Sequence, residues 1–323
     1  MAISATVLGA SGYTGGELLR ILADHPSMGV AAAAGGTRAG ATVADVHPAL
    51  APVAGDLVLG AVPAVASAPA DVCFSCLPAG ELEPLLPGVA APIVIDLADA
   101  FRASPEWVYG LTEYARAELA GAMRIANPGC YPTATLLATV PFARAGMIEG
   151  PVVVDALSGT SGAGRKAEAR FGLAELHGGA GAYGEVTHRH VPEMERGLSR
   201  FGGIQETVSF TPHLVPMARG VLVTVRARLR TEVSTDVALE VLHDAYATES
   251  FVTPTGEWPQ TKWATGTNRV FVSARVDARA GMLIASAALD NLGKGAAGQA
   301  IQNANLALEQ DESAGLAGTG LWP

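Results

Sequence analysis

A two-domain α/β fold is predicted by three features of the sequence. Short apolar runs alternate with helically spaced segments in the first half, longer alternating runs follow in the second, and the chain has 323 residues. Single hydrophobic cores rarely grow past about 250–300 residues, so a chain of this length divides. The boundaries expected are 1–149 with 291–323 for the first domain and 150–290 for the second.

Ile3 to Leu8 is an apolar run closed by Gly9, and Tyr13 to Ala23 follows with Leu18, Leu19 and Leu22 on one helical face. Val30 to Ala34 ends in Gly35-Gly36, and Val72 to Cys76 and Ile93 to Ile95 are further short β-branched runs. Strands alternating with helices predict a parallel sheet with right-handed crossovers. Thr133 to Ala145 reads as a helix after a Pro-Gly-Cys turn. Beyond Pro151 the runs lengthen and alternate: Val152–Asp155, Thr207–Thr211, Gly220–Arg230 and Arg269–Val276. These predict an antiparallel sheet with one solvated face. Ala296, Ala297, Ala300, Ile301, Ala304 and Leu308 have the spacing of a final helix returning to the first domain.

The formal net charge of −10 argues against a general nucleic-acid binder, which needs a basic footprint. A local arginine cluster can still hold an anionic substrate. Of the three cysteines, Cys73 and Cys76 fall in a segment that reads as a buried strand and its end, and no second pair completes a zinc site, so no metal is expected. The N-terminus has no basic stretch ahead of its first strand, and no apolar run reaches about 18 residues. Neither a signal peptide nor a membrane span is expected, and the location expected is cytoplasmic.

Gly9-Ala-Ser11-Gly12-Tyr13-Thr14-Gly15 stands where the first strand gives way to the first helix. Glycines at this spacing permit a tight turn, close approach of a pyrophosphate and close helix packing, which points to a dinucleotide. The second strand should end in Asp or Glu if NAD were held. It ends in Ala33-Ala-Gly-Gly-Thr37-Arg38 with no carboxylate before Asp45. A hydroxyl and a guanidinium suit a 2′-phosphate, so NADP is expected.

Asn127-Pro-Gly-Cys130-Tyr-Pro-Thr133 carries the strongest chemical signal. A thiol just ahead of a helix feels the positive end of its dipole, which favours the thiolate. A thiolate attacks activated acyl groups. In Tyr183-Gly-Glu-Val-Thr-His188-Arg-His190-Val-Pro-Glu193, two histidines flank an arginine ahead of a helix start, a pattern suited to acid–base work or oxyanion stabilisation. The residues leave open which histidine acts. Ser158-Gly159-Thr-Ser161-Gly162-Ala-Gly-Arg165 is a second glycine-rich loop after a strand, whose N–H groups, hydroxyls and arginine could receive a phosphate. Arg102 is a further candidate anion clamp.

Together these stretches resemble the N-acetyl-gamma-glutamyl-phosphate reductases of arginine biosynthesis, of the aspartate-semialdehyde dehydrogenase-like superfamily. The likeness runs nearly end to end and includes Asp96 to Arg102, Tyr109 to Glu113, Phe210 to Met217 and Asp290 to Gln299. It implies a Rossmann-type domain and an α+β substrate and dimerisation domain of the kind at the C-terminus of glyceraldehyde-3-phosphate dehydrogenase. It implies NADPH-dependent reduction of N-acetyl-glutamyl 5-phosphate, with Cys130 as nucleophile, a histidine of the His188–His190 pair as acid–base partner and Glu193 beside it. Pro78, Ser158, Gly159 and Asn291 are then expected at the cofactor. Arg102, Asn127, Ser161, Gly162, Arg165, Tyr183 and His213 are expected at the substrate, with His213 the next acid–base candidate. A homodimer or homotetramer is implied. Other readings are the same chemistry on aspartyl or carrier-bound aminoadipyl phosphate, or a non-catalytic NADP sensor. Ala79 and Ala218 depart from the family pattern, where His and Asn are common.

Overall fold

The computed structural model describes residues 2–165, 168, 171–184 and 186–320. The chain forms two compact units, residues 1–129 with 296–318 and residues 130–295 with 319–323.

The first unit is built on a six-stranded sheet: β1 (Ile3–Leu8), β2 (Met28–Ala34), β3 (Val72–Ser75), β4 (Ile93–Asp96), β5 (Val108–Tyr109) and β6 (Arg124–Ala126). Its order is β2-β1-β3-β4-β6-β5, and every pair is parallel. Strands covered on both faces read as continuous apolar runs. β3 and β4 are buried at every residue, which explains why they were visible as uninterrupted runs. Helix α1 (Tyr13–Ala23) buries Leu18, Leu19, Ile21 and Leu22. Helix α2 (Thr112–Leu119) packs against the tail helix Gly298–Ala307, which lies in this unit. Their contact is polar. The Thr112 hydroxyl donates to Asn303 Oδ1 at 2.8 Å, and Asn303 Nδ2 donates to the Gly110 carbonyl at 2.9 Å.

The second unit holds β7 (Ile148–Ser158), β8 (Gly181–Ala182), β9 (Val208–Leu214), β10 (Val221–Leu229), β11 (Val252–Pro254), β12 (Val270–Asp277) and β13 (Met282–Leu289). The order is β11-β12-β13-β10-β7-β9-β8. In β10, Val221, Val223, Val225 and Ala227 are buried while Leu222, Thr224 and Arg226 are partly exposed, the alternation expected of a half-covered strand. The sheet is mixed, not antiparallel throughout: β7 pairs with β9, and β11 with β12, in parallel. Parallel neighbours need a crossover of a dozen residues or more, and the segments 159–207 and 255–269 supply it.

Helix α3 (Cys130–Arg144) packs on β10 and β13 and against α4 (Val191–Gly197) and α5 (Thr235–Ala245), and it is buried from Tyr131 through Ala143. The sequence reading put this helix in the first domain, up to residue 149. Its packing puts it in the second unit, so the chain passes between units at Gly129–Cys130 and returns at Gly295–Ala296.

Candidate active site

Cys130 is the first residue of α3, a helix of 15 residues. The first N–H groups of a helix have no partner within it and carry its positive dipole end, so the thiol sits in a field that favours negative charge. Gly295 lies against it: a Cβ there would stand 2.8 Å from the Cys130 Cβ. The turn ahead of it is anchored in the first unit. The Asn127 N–H donates to the Asp96 carbonyl at 2.8 Å, and Asn127 Nδ2 donates to the Ala296 carbonyl at 3.1 Å. Asn127 Oδ1 accepts from Asn303 at 3.1 Å. Asn127 is fully buried. Expected at the substrate, it instead holds the turn. Arg102 does similar work. Its Nε donates to the Asn127 carbonyl at 2.8 Å and a terminal nitrogen donates to the Leu97 carbonyl at 3.0 Å. These bonds brace the backbone ahead of the nucleophile where an anion clamp was expected.

In the second unit Cys130 opens on a cavity of about 220 Å³ that Tyr131, Tyr183, His188, Arg189 and His190 also line. The predicted nucleophile and both predicted histidines are therefore brought together. His190 is buried at the start of α4. His188 is half-buried, and its ring meets those of Tyr131 (5.8 Å), Tyr183 (5.9 Å), Phe210 (5.2 Å) and His190 (4.8 Å) edge-on. Burial lowers the pKa of His188, the Arg189 guanidinium lowers it further, and the Glu193 carboxylate opposes both. Glu193 is buried in the first turn of α4 and bears on the site through its charge. The Tyr131 and Tyr183 hydroxyls are 2.7 Å apart.

Ser158, Gly159, Gly162 and Ala163 form the wall supplied by the second glycine-rich loop. Its N–H groups do not form the anion cradle that the sequence suggested. Those of Gly159, Thr160 and Ser161 donate to the carbonyls of Gly220 (2.9 Å), Met217 (3.0 Å) and Ala218 (3.2 Å). Asn291 ties the two segments together: Oδ1 accepts from the Gly220 N–H at 2.7 Å, and Nδ2 donates to Ser161 Oγ at 2.9 Å. Asn291 thus supports the loop from behind, with both ends of its amide in use, rather than offering them to a cofactor. Arg165 is exposed beyond the loop and outside the lining. His213 lies on the face of β9 opposite Phe210 and Leu214 and does not line the cavity.

The dinucleotide candidates form their own group in the first unit. Gly9 has φ +78°, and a Cβ on it would fall 2.7 Å from the Cys76 carbonyl oxygen. Gly15 packs so tightly on Gly9 and Ala10 that no side chain fits. Ser11 Oγ donates to the Gly35 carbonyl at 2.8 Å, joining this loop to the end of β2. Gly12 caps α1 without a side-chain hydrogen bond, and Tyr13 and Thr14 open the helix. Thr37 and Arg38 are exposed after β2, and Pro78 is exposed after β3. Cys73 and Cys76 are not bridged, and burial pushes both thiols up.

Residues 4–122 match the family model of the semialdehyde dehydrogenase NAD binding domain, and residues 130–291 match that of the semialdehyde dehydrogenase dimerisation domain. A protein of a Methylobacterium species named N-acetyl-gamma-glutamyl-phosphate reductase is 42% identical, with 100% of both chains covered. One of the same name from Frankia casuarinae is 43% identical, again over 100% of both. The chain belongs to the N-acetyl-gamma-glutamyl-phosphate reductase family. Its fold is that of aspartate semialdehyde dehydrogenase II from Vibrio cholerae, with TM-score 0.74, 19% identity and coverage of 96% of this chain and 99% of that one. Aspartate semialdehyde dehydrogenase from Candida albicans, solved with NADP, has TM-score 0.71 at 17% identity, covering 95% and 98%.

For a member of this reductase family, six cavity residues are not candidate site residues from the sequence: Tyr131, Ala163, Glu168, Phe171, Arg189 and Leu214. Tyr131 and Arg189 adjoin residues that were read, and that adjacency was the available signal. Glu168 and Phe171 lie between motifs, and nothing in their spacing marks them.

Proposed function

We propose that this chain reduces N-acetyl-glutamyl 5-phosphate to N-acetyl-glutamate 5-semialdehyde, with release of phosphate, through a thioester on Cys130. The observation that carries the reading is Cys130 at the first position of α3, opening on a cavity lined by His188, His190 and Arg189. The Cys130 thiolate attacks the acyl carbon, a C–S bond forms, and the carbonyl pair moves to oxygen. That pair returns as the bond to phosphate breaks. Arg189, exposed at the cavity, meets the phosphate, and a histidine stabilises the oxyanion. Full-length relatives at 42–43% identity bear the name of this reductase, which supports the substrate.

NADPH, when bound, supplies the hydride. The residues present fit it. The uncapped first turn of α1 offers N–H groups to a pyrophosphate. Thr37 and Arg38 suit a 2′-phosphate, and the nearest carboxylate in sequence, Asp45, is occupied by the N–H and hydroxyl of Thr42 at 2.9 and 2.7 Å. The match to a dimerisation-domain model supports a homodimer or homotetramer. No helix among the described residues is long and apolar enough to cross a membrane, and we place the enzyme in the cytoplasm.

The test is NADPH oxidation with N-acetyl-glutamyl, aspartyl and carrier-bound aminoadipyl phosphates in parallel. The first should lead in kcat/KM by about 100-fold. A lead by another acyl phosphate would move the assignment. NADPH binding with no turnover on any of them would leave only a sensor.

A further inference from the structure

The segment that follows β2 reaches back to the first glycine-rich loop through the side chain of His47. Thr42 and Asp45 form a capping box at the start of the short helix Val43–Val46. The Asp45 N–H donates to Thr42 Oγ1 at 3.2 Å, and Asp45 Oδ2 accepts from the Thr42 N–H at 2.9 Å. His47 ends that helix with both backbone groups in use. Its N–H donates to the Val43 carbonyl at 2.7 Å, and its carbonyl accepts from the Leu50 N–H at 2.9 Å. Pro48 restricts its rotation further. The half-buried ring lies against Gly16 of α1, where a Cβ would stand 2.5 Å from Cε1. Its Nε2 is 2.8 Å from the Ala10 carbonyl oxygen. A carbonyl only accepts, so the hydrogen of that bond belongs to Nε2.

Ala10 is thus held on both sides. Its N–H donates to the Ala34 carbonyl at 2.7 Å, and its carbonyl accepts from His47. The first bond leaves the plane of the next peptide free to turn, and the second sets it. A trans peptide is planar, with its C=O and N–H on opposite sides. With the Ala10 carbonyl turned to His47, the N–H of Ser11 in the same peptide turns the other way. We propose that His47 is a positioning residue for the dinucleotide: its hold on the Ala10 carbonyl keeps the Ser11 N–H directed to the pyrophosphate and the carbonyl directed away from it. This rests on the reading of Gly9 to Gly15 as the loop that meets NADPH. Backbone N–H groups attract an anion. The same peptide turned over sets the negative end of a carbonyl against phosphate oxygens, so the His47 bond decides between a donor and a repelling acceptor.

The test separates the donor from the ring. His47→Phe keeps a flat ring against Gly16 and removes the N–H. His47→Gln gives up the ring and places an amide N–H near the Nε2 position. Binding of NADPH to the full-length protein, followed by calorimetry, should weaken by about 10-fold or more in His47→Phe, the scale of a lost charge-assisted bond to phosphate, and stay within about threefold of wild type in His47→Gln. Adenosine 2′-monophosphate is the control ligand, since it carries the 2′-phosphate and no pyrophosphate. Its affinity should agree in all three proteins to within about twofold. A histidine that only supports the fold around Arg38 would weaken both ligands together. That result would overturn the proposal, as would wild-type NADPH affinity in His47→Phe or equal loss in the two variants. Failure of the dinucleotide reading shows in the wild type alone, as no binding of NADPH, whereas failure of the proposal shows in the variants of a wild type that binds it.

Discussion

Two glycine-rich loops of this chain look alike in sequence and are fastened differently. Gly9 to Gly15 gives the N–H groups of Ala10 and Gly12 to the carbonyls of Ala34 (2.7 Å) and Gly9 (3.1 Å) and enters α1 at Gly12 with no side-chain cap. Ser158 to Gly164 spends the N–H groups of Gly159, Thr160 and Ser161 on the carbonyls of residues 217–220, and Asn291 locks it from behind. The first leaves its helix start without a side-chain cap, and the second holds a wall of the cavity. Glycine spacing shows where a backbone turns sharply. Whether its donors face a ligand depends on what packs behind the turn. The buried carboxylates of the two units differ in the same way. Asp290 accepts from the N–H groups of Gly266 (2.6 Å), Leu292 (2.8 Å) and Gly293 (3.1 Å) and from Arg219 (3.3 Å). Asp96, equally buried, is pushed up to about 6 by desolvation, which outweighs the Ser75 hydroxyl, the Ala98 backbone and Arg102.

The largest effect that would break this contrast concerns Gly15. Gly15→Val drives a side chain into Gly9 and Ala10, so NADPH binding, followed by fluorescence titration, should weaken by about 100-fold or more while iodoacetamide still labels Cys130. Binding within tenfold of wild type would take the first loop out of the phosphate site.

Next comes Asp96. Its folded pKa of about 6 lies above the ordinary 3.8, so the folded state holds the proton more tightly. Stability from this group is greatest below the ordinary value, falls as pH rises towards 6, and is flat above. Asp96→Asn should therefore match wild type in urea unfolding near pH 4 and exceed it by up to about 3 kcal/mol at pH 8. A constant offset across that range would mean that Asp96 is not strained by burial.

Arg38→Ala should weaken NADPH binding by about 1.5–3 kcal/mol and spare NADH, as expected for a lost charge-assisted bond to phosphate. Equal loss with both cofactors would remove the 2′-phosphate reading.

The smallest effects lie in the second loop. A Cβ on Gly159 would meet the Met217 and Ala218 carbonyl oxygens at 2.9 Å, whereas one on Gly162 stays 3.4 Å from Ser158 Oγ. Gly159→Ala should cost about 1–3 kcal/mol of stability, and Gly162→Ala within about 0.5. Reversed costs would mean that the loop is not clasped where the structure has it.

Local signals were legible in the sequence. The β1–α1 loop, the thiol at a helix start and the paired histidines each depend on neighbours a few residues away, although the helix expected from Thr133 begins at Cys130 itself. Long-range facts were not. β13, an inner strand of the second sheet between β12 and β10, is not legible because Met-Leu-Ile-Ala-Ser-Ala-Ala-Leu is apolar without alternation and serves a buried helix as well as a buried strand. The membership of α3 in the second unit follows from what it packs on, and periodicity does not report that. Arg102 reads as an anion clamp from its residue type and the resemblance puts Asn127 at the substrate, but both donate to carbonyls, Leu97 among them and Ala296 far along the chain. Arg189 stands between two histidines in the sequence, yet its exposure at the cavity is a property of the turn into α4.

The most direct measurement is a rapid quench of the enzyme with N-acetyl-glutamyl phosphate in the absence of NADPH, with phosphate release and intact mass read on the same samples. If Cys130 is the nucleophile, each active site should release one phosphate in a burst and gain one acyl group mapped to Cys130, and Cys130→Ser should show neither. No burst, or an equal burst from Cys130→Ser, would contradict the thioester mechanism.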